Sequence, residues 1–290
     1  MDTNKDQHFE KCFLSPASFW TPEWIPNVSA WLEHGPFAFW ITGVHRPRCL
    51  VELGSHEGFS YMAFCQSVQR NQIDCRCHAV DTWKGDGHAG LYGEEVFSRV
   101  NDYNQKHYSI FSRLIRSTFD QALEHFADGS IDLLHIDGLH TYEAVKHDFE
   151  SWLPKMSNRG IILFHDTNVR ERDFGVWRLW QELAGKYPHF EFSHGYGLGV
   201  LGVGSEFPDV IQNLFAIENN SMVAENIRNS YSHLGKILTK QSETAKLQSE
   251  MLKLQSENTR LRGIVESAEK WQKSWFGRAF HRWRPSRDKV

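Results

Sequence analysis

Short apolar runs alternate with longer amphipathic stretches between residues 48 and 205, and this alternation is the strongest constraint on the fold. The apolar runs include 49–53, 78–80, 131–136 and 161–164, and the stretches between them have the 3.6-residue period of helices. Strands that alternate with helices predict a parallel sheet covered by helices on both faces. We therefore expect an α/β fold with a Rossmann-like, doubly wound sheet.

The segments that flank this alternation differ from it in composition. The first 45 residues are rich in Trp and Pro, which predicts a short N-terminal cap. The chain of 290 residues has a net charge of −4, yet residues 231–290 contain 13 Lys and Arg against 6 Asp and Glu, so this basic end and the acidic body should have different partners. The predicted segments are a cap (1–45), the α/β domain (46–205), a helical linker (206–233), a coiled coil (234–268) and a basic, aromatic, amphipathic tail (269–290).

A seven-residue repeat begins near Ile237 and predicts the coiled coil. Its a and d positions are Thr244, Leu247, Met251, Leu254, Asn258, Leu261 and Val265. A buried Asn at an a position is satisfied by its counterpart in register, which favours a parallel dimer. Glu257 at g and Arg262 at the following e position could pair across that dimer. We expect a homodimer; the alternative is one amphipathic helix packed on the body.

Aromatic residues cover about half of the helical wheel over residues 271–284, and basic residues lie opposite or at its edges. This pattern is typical of a helix that lies on an anionic membrane surface. The alternatives are a helix that docks on a protein such as a glycosyltransferase, and a solvated tail. A nucleic-acid partner is disfavoured, because the acidic body would repel phosphate.

Several classes of protein are excluded or disfavoured by what the sequence lacks. No apolar run reaches the roughly 18 residues of a membrane span, and Met1–Glu10 is not a signal peptide. The 5 cysteines are scattered and predict reduced thiols. We find no nucleophile elbow, Walker loop or repeated Cys/His array. We expect a cytoplasmic protein, held peripherally at the inner face of the membrane if the tail binds lipid.

A glycine-containing turn follows the first predicted strand and leads into a helix. Gly54 and Gly58 lie in this turn, so backbone there can approach a nucleotide-like ligand closely. The pair does not complete the G-x-G-x-x-G fingerprint of dinucleotide-binding proteins, which argues against an NAD-type oxidoreductase. A ligand without phosphates fits this turn better.

Four sequence blocks resemble class I methyltransferases that use S-adenosylmethionine (SAM), in the group related to cephalosporin hydroxylase and metal-dependent small-molecule O-methyltransferases. The blocks are residues 51–60, 80–90, 135–143 and 160–167, and the resemblance extends over about 45–205. It implies SAM as cofactor, and Asp81 at the end of the second strand would accept hydrogen bonds from the ribose hydroxyls. The implied cofactor-binding residues are Glu52, Gly54, Ser55, Gly58, Ser60, Asp81 and Trp83. Trp83 would stack on adenine; the alternative is a buried core Trp.

Acidic and imidazole side chains follow two neighbouring predicted strands. Asp137 ends the fourth strand, and His165 and Asp166 end the fifth, so they should converge at the carboxyl edge of the sheet. In the resembling enzymes these positions bind Mg²⁺, and the histidine would also admit Mn²⁺. His140 stands where catechol methyltransferases have their catalytic lysine, and we predict that it is the general base. The alternative is that His140 is a further metal ligand.

The function expected from the sequence is SAM-dependent O-methylation assisted by a divalent metal. The resemblance implies a glycan acceptor, a sugar hydroxyl of a polysaccharide or of a lipid-linked glycan. A sugar hydroxyl is a poor acid, so a metal to polarise it and a base to deprotonate it would act together. The alternative is a non-catalytic scaffold whose coiled coil organises glycan-assembly enzymes at the membrane.

Overall fold

Seven strands form one sheet in the computed structural model, which describes residues 13–26, 28–88, 90–217 and 221–282. A short hairpin of two more strands lies outside this sheet. In chain order the strands are β1 (Cys49–Leu53), β2 (Arg76–Asp81), β3 (Gly85–Asp86), β4 (Gly90–Leu91), β5 (Ser112–Arg116), β6 (Ile131–Ile136), β7 (Met156–His165), β8 (His189–Phe192) and β9 (Leu198–Gly202).

The order of the strands across the sheet is β5-β2-β1-β6-β7-β9-β8. The five strands from β5 to β7 are parallel, and β9 is antiparallel to both of its neighbours. From β1 the chain adds β2 and β5 on one side of the sheet, and it then returns to add β6 and β7 on the other side. Such a switch of direction opens a crevice at the carboxyl ends of β1 and β6. The predicted α/β fold with a Rossmann-like sheet is confirmed.

Helices cover both faces of the sheet, with further single turns of 3₁₀-helix between elements. The helices are α1 (Gly35–His45), α2 (Phe59–Arg70), α3 (Glu94–His107), α4 (Phe119–Ala122), α5 (Tyr142–Trp152), α6 (Val176–Ala184), α7 (Asp209–Phe215) and α8 (Met222–Arg282), and the 3₁₀ turns are Pro16–Phe19, Leu32–His34, Leu123–His125 and Leu153–Lys155. Within the described part of the chain, no helix combines the length and apolarity needed to cross a membrane.

The side chains of β1 and β6 alternate between two hydrophobic cores. Leu50 and Leu133 face a core that includes α1, α2 and the N-terminal cap, whereas Val51 and Leu134 face a core that includes α5 and α6. Because side chains alternate along a strand, Glu52 and His135 point to the same face as Leu50 and Leu133. A buried carboxylate and a buried imidazole therefore lie beneath the cap.

The chain divides into two compact units, Met1–Thr239 and Lys240–Val290. In the first unit the start of α8 packs into the core, where the Tyr231 hydroxyl donates a hydrogen bond of 2.7 Å to the carbonyl oxygen of Phe13. In the second unit the predicted a and d side chains are exposed, from 50% at Leu261 to 71% at Leu254. The predicted tail is helical as far as Arg282, and residues 283–290 lie outside the described residues.

The carboxylate of Asp132 links the segments that carry Arg48 and Ser157 at the edge of the sheet opposite the crevice. It accepts hydrogen bonds of 2.8 Å from the backbone N–H and the guanidinium of Arg48, and one of 2.6 Å from the Ser157 hydroxyl. Burial alone would raise the pKa of Asp132, but these hydrogen bonds lower it overall. The carboxylate is buried and ionised, so it stabilises the native sheet wherever it stays charged.

We expect Asp132→Asn to lower the free energy of unfolding by about 2 kcal/mol, a value reduced for the exposure of Arg48 to solvent. The wild-type contribution should be present at neutral pH and be lost as the pH falls below about 4, because the folded-state pKa is the lower one. Urea titrations at pH 7 and at pH 3 measure both effects. An unchanged urea midpoint in the variant at pH 7 would contradict this assignment.

Candidate functional site

A cavity of about 370 Å³ opens at the carboxyl ends of β1, β6 and β7. Its walls come from the β1–α2 loop (residues 54–58), the segments after β6 and β7, and residues 28–31 of the N-terminal cap. The cavity lies at the point where the strand order reverses, which is where open α/β sheets bind their ligands.

Two glycines give the β1–α2 loop its shape. Gly54 has a φ of +86°, and a Cβ at this position would lie 2.1 Å from the carbonyl oxygen of Asp137. Gly58 has a φ of +76° and precedes the first residue of α2. The left-handed backbone and the close approach to Asp137 both require the absence of a side chain. The loop can therefore lie directly beside the segment that follows β6.

Asp81 fastens the β1–α2 loop to the end of β2. Its Oδ2 accepts the backbone N–H groups of Ser55 and His56, each at 2.9 Å, and its Oδ1 accepts that of Trp83 at 2.7 Å. The Trp83 ring is buried, and its indole N–H donates to the carbonyl oxygen of His56 at 3.1 Å. Neither Asp81 nor Trp83 lines the cavity; both hold the loop from behind.

Glu52 is fully buried and does not line the cavity either. Its Oε1 accepts the Ser55 hydroxyl at 2.6 Å, and its Oε2 lies 2.8 Å from Nδ1 of His135. The Trp31 indole N–H donates to Nε2 of His135 at 3.1 Å. Since an indole nitrogen only donates, Nε2 of His135 must be the acceptor. The proton of the ring is therefore on Nδ1, which donates a hydrogen bond to Glu52.

Two carboxylates and two imidazoles meet at the floor of the cavity and form the carboxylate–imidazole cluster of Asp137, His140, His165 and Asp166. Nε2 of His140 lies 3.3 Å from Oδ1 of Asp137 and 3.0 Å from Oδ2 of Asp166. Nδ1 of His165 lies 3.2 Å and 3.4 Å from the nearer oxygens of the same two carboxylates. Asp166 has a left-handed φ of 61°, a conformation that is costly away from glycine and is found at functional sites.

The cluster has the donor set of a divalent metal site. Ligand atoms of Asp137, His140 and Asp166 all lie within 4.8 Å of one another. His165 turns Nδ1 to the carboxylates and Nε2 to the carbonyl oxygen of Gly195, at 3.2 Å. A carbonyl only accepts, so Nε2 keeps its proton and Nδ1 is the nitrogen available to a metal, the arrangement that is usual for histidine ligands. The predicted trio and His140 are thus brought together.

Without a metal, the charges of the cluster retain protons on its histidines. Burial would lower the pKa of His140, but hydrogen bonds from it to Asp137 and Asp166 raise the pKa to about 9. Burial opposes the same shift at His165, whose pKa the two carboxylates raise well above its ordinary value. Burial would raise the pKa of Asp137, which the positive charge of His165 and the hydrogen bonds from both histidines lower. At neutral pH both imidazoles are therefore cationic.

Several cavity residues are not among the individual site residues predicted from the sequence. Trp31 belongs to a cap without a periodic pattern, and its partner His135 is 104 positions away. Phe174 stacks on the His140 ring at 4.6 Å, with 4° between the planes, and His88 lies 4.6 Å from Phe174. Tyr196 lines the cavity and is 59% exposed. In the sequence, His88 and Tyr196 each stand in a glycine-rich segment, and this was the signal that could have found them.

The predicted site residues thus separate into two groups. Those that line the cavity are Gly54, Ser55, Gly58, Ser60, Asp137, His140, His165 and Asp166. Glu52, Asp81 and Trp83 lie behind the loop, where they fix its conformation. Their contact with a cofactor stays a prediction, as do the individual catalytic and ligand roles in the cluster.

We expect the metal-free protein to show a histidine NMR resonance that titrates near pH 9. This resonance should be missing from the spectrum of His140→Gln. The pKa is raised relative to the unfolded chain, so the stability it confers is present below about pH 6.5 and is lost as the pH rises through about 9. Histidine-selective NMR titration measures the pKa. In Asp166→Asn the same resonance should titrate at lower pH. A His140 pKa of 6.5 or below in the wild type would contradict the described geometry.

One family model matches part of the chain. Residues 51–167 match the family model described as "Methyltransferase domain". The chain is also 51% identical over 204 residues to "Uncharacterized protein y4gI" of Sinorhizobium fredii (strain NBRC 101917 / NGR234), an alignment that covers 70% of this chain and 22% of that protein. The chain thus spans about a fifth of the length of this relative.

Among solved structures, the chain is similar to the SAH-bound methyltransferase PaMTH1 of Podospora anserina, with a TM-score of 0.46, 14% identity, and coverage of 69% of this chain and 95% of that one. It is also similar to the O-methyltransferase TomG of Streptomyces achromogenes in complex with SAM, with a TM-score of 0.45, 12% identity, and coverage of 67% and 98%. The match to the family model covers residues 51–167, the part of the chain whose sequence blocks resemble SAM-dependent methyltransferases. Residues 51–167 are therefore similar to a methyltransferase domain.

Proposed function

We propose that this protein transfers a methyl group from SAM to a hydroxyl of an acceptor, with the help of a divalent metal ion. The observation that carries the proposal is that the β1–α2 loop and the carboxylate–imidazole cluster line one and the same cavity. A methyl donor bound at the loop and a hydroxyl bound at the cluster would then be neighbours. Such positioning is the main requirement of a direct transfer between two bound molecules.

The cofactor side of the cavity suits SAM because the β1–α2 loop brings backbone to the cavity surface. Gly54 and Gly58 leave room for a ligand to approach the main chain, and Ser55 and Ser60 add hydroxyl groups. No lysine or arginine comes from this loop, as expected for a ligand without phosphates. Asp81 already accepts three backbone hydrogen bonds, so a ribose hydroxyl that binds there must share the carboxylate with the loop.

The metal side of the proposal rests on charge balance. Asp137 and Asp166 carry two negative charges in a buried space, and in the metal-free chain the protonated His140 and His165 balance them. One divalent ion can replace two protons without changing the charge of the cluster. An ion held by these carboxylates and by Nδ1 of His165 would act as a Lewis acid that lowers the pKa of a neighbouring hydroxyl.

His140 has two alternative roles in this proposal. As a cation it cannot accept the proton of the acceptor hydroxyl, so a role as general base requires that it first lose its own proton. Asp137 and Asp166 would hold that proton less strongly once they share their charge with an ion. The freed Nε2 could then take up the hydroxyl proton, or bind the ion directly, as its distances to both carboxylates allow.

The acceptor side of the cavity combines aromatic surfaces with polar groups. Phe174 and Tyr196 contribute rings, and Glu171 and Arg172 contribute charged side chains. This combination suits a ring that carries several hydroxyls, because the faces of a sugar are apolar and its rim is polar. We therefore propose a sugar hydroxyl, of a polysaccharide or a lipid-linked glycan, as the acceptor.

The proposed function is tested by calorimetric titration of SAM and Mn²⁺, followed by transfer of labelled methyl groups to isolated cell glycans. We expect SAM to bind and Mn²⁺ to release close to two protons per ion at pH 7.5, because two raised pKa values must be overcome. The released protons appear as a dependence of the binding heat on the ionisation enthalpy of the buffer. Asp137→Asn should lose Mn²⁺ binding and methyl transfer while it retains SAM binding.

Asp120→Asn provides the matched control, because Asp120 forms an exposed pair with His147 at 2.8 Å and lies outside the cavity. This variant should behave as the wild type in all three assays. A His140→Ala variant separates the two roles of that residue: weaker Mn²⁺ binding indicates a ligand, and unchanged Mn²⁺ binding with slower transfer indicates a base. Absence of SAM binding in the wild type would overturn the proposed function in favour of a scaffold.

We also propose that the second unit forms a parallel coiled coil with a second copy of this chain. Its d residues Leu247, Leu254 and Leu261 are half exposed or more, so the apolar stripe has surface left to bury. Glu257 pairs with Arg260 within the helix, at 2.7 Å, and a dimer would offer it Arg262 of the other copy instead. Binding of the tail to an anionic membrane or to a glycosyltransferase stays a prediction.

We expect Leu254→Asp to convert the dimer into a monomer, because it places a charge at a d position. Leu252→Asp is the matched control: Leu252 is 62% exposed and lies two residues away at a b position outside the stripe. Sedimentation equilibrium of the full chain measures the mass of each. A wild-type monomer, or equal dissociation of both variants, would contradict the coiled coil.

A further inference from the structure

We propose that Trp31 is a positioning residue for the β1–α2 loop, and that the N-terminal cap contributes in this way to the binding of SAM. This inference rests on the proposed function for the identity of the ligand. The β1–α2 loop lies within the matched methyltransferase domain, residues 51–167, whereas Trp31 lies outside it. The hydrogen bonds between them can be tested without any acceptor.

A continuous chain of buried side chains joins the cap to the loop. The Trp31 indole donates to His135, His135 donates to Glu52, and Glu52 accepts the Ser55 hydroxyl, over distances of 3.1, 2.8 and 2.6 Å. All four residues are at most 5% exposed. Adjacent strands bring the two central residues together, since Glu52 pairs with His135 in the register of β1 and β6.

The two ends of this chain line the same cavity. Trp31 contributes an aromatic wall, and Ser55 contributes a hydroxyl whose backbone N–H is also bound by Asp81. Removal of the indole N–H would leave Nε2 of His135 as a buried acceptor without a donor, and Glu52 and Ser55 would have to readjust. Loss of the Trp31 indole N–H should therefore change the conformation of the β1–α2 loop.

The cap contacts the loop at a second place through another tryptophan. The Trp24 indole N–H donates to the carbonyl oxygen of Glu57 at 2.8 Å. The Trp31 ring also lies 6.3 Å from the His165 ring, so the cap borders both the loop and the carboxylate–imidazole cluster. These contacts show that the cap is bound to the site at several points, and that Trp31 reaches Ser55 through buried side chains.

The test is a double-mutant cycle with Trp31→Phe and Ser55→Ala, read out as the dissociation constant of SAM. Trp31→Phe keeps the aromatic ring and removes the donor, and we expect SAM to bind roughly tenfold more weakly. Mn²⁺ affinity should stay within about twofold, since no metal ligand changes. The double variant should be no weaker than the weaker single variant, because both substitutions interrupt one network.

Trp20→Phe is the matched control, because Trp20 also belongs to the cap and packs on Phe39, and its indole makes no hydrogen bond among the described residues. This variant should bind SAM as the wild type does, and its effect should multiply with that of Ser55→Ala. A Trp31→Phe variant that melts earlier but binds SAM normally would overturn the proposal. Fold-changes of Trp31→Phe and Ser55→Ala that multiply would also overturn it.

Hydrogen exchange of the ligand-free chain tests the network independently of SAM. Trp31→Phe should accelerate amide exchange in residues 53–60, and Ser55→Ala should accelerate it in residues 28–34, whereas Trp20→Phe should do neither. If Trp31→Phe does not fold, the Ser55→Ala arm still decides the matter. If the variants alter amide exchange but the wild-type chain does not bind SAM, the proposed function is refuted and the hydrogen-bond network is still supported. If the variants leave amide exchange unaltered, the network is refuted.

Discussion

The carboxylate of Asp81 holds the β1–α2 loop, and the shape of the site depends on this interaction. One side chain at the end of β2 accepts three backbone N–H groups from two different turns, including those of Ser55 and His56. Charge-assisted hydrogen bonds of this kind are stronger than neutral ones. They keep the loop folded against the sheet in the absence of a ligand, so that binding need not organise it.

The carboxylate–imidazole cluster depends on the loop in turn. Gly54 lies so close to the carbonyl oxygen of Asp137 that the loop and the segment after β6 must fit together as one piece. Asp137 then lies within reach of His165 and Asp166, which end the neighbouring strand. Two carboxylates this close are stable only with balancing charge, from two imidazolium groups or from one divalent ion. Under the proposed function, one form would replace the other when the ion binds.

The sequence predicted those parts of the structure that follow from strand periodicity. Asp137, His165 and Asp166 end parallel strands, and parallel strands deliver their carboxyl ends to one edge, so their convergence could be predicted. The protonated state of His140 could not, because it depends on its distance to both carboxylates. The contact of Asp81 and Trp83 with a cofactor stays a prediction, whereas the hydrogen bonds by which both hold the β1–α2 loop could not be predicted from strand periodicity. Trp31 has no periodic context, and its partner is remote in sequence.

The bond between Tyr231 and Phe13 has a consequence for the order in which the protein matures. These residues are 218 positions apart, and the cap to which Phe13 belongs also supplies a wall of the cavity. During synthesis from the N-terminus, the cap leaves the ribosome before the sheet, but the tyrosine that bonds to it is made only after the whole sheet. A nascent chain can thus complete the sheet and still have an unfinished site. The cavity would then be completed by a late, long-range contact rather than when the α/β domain itself folds.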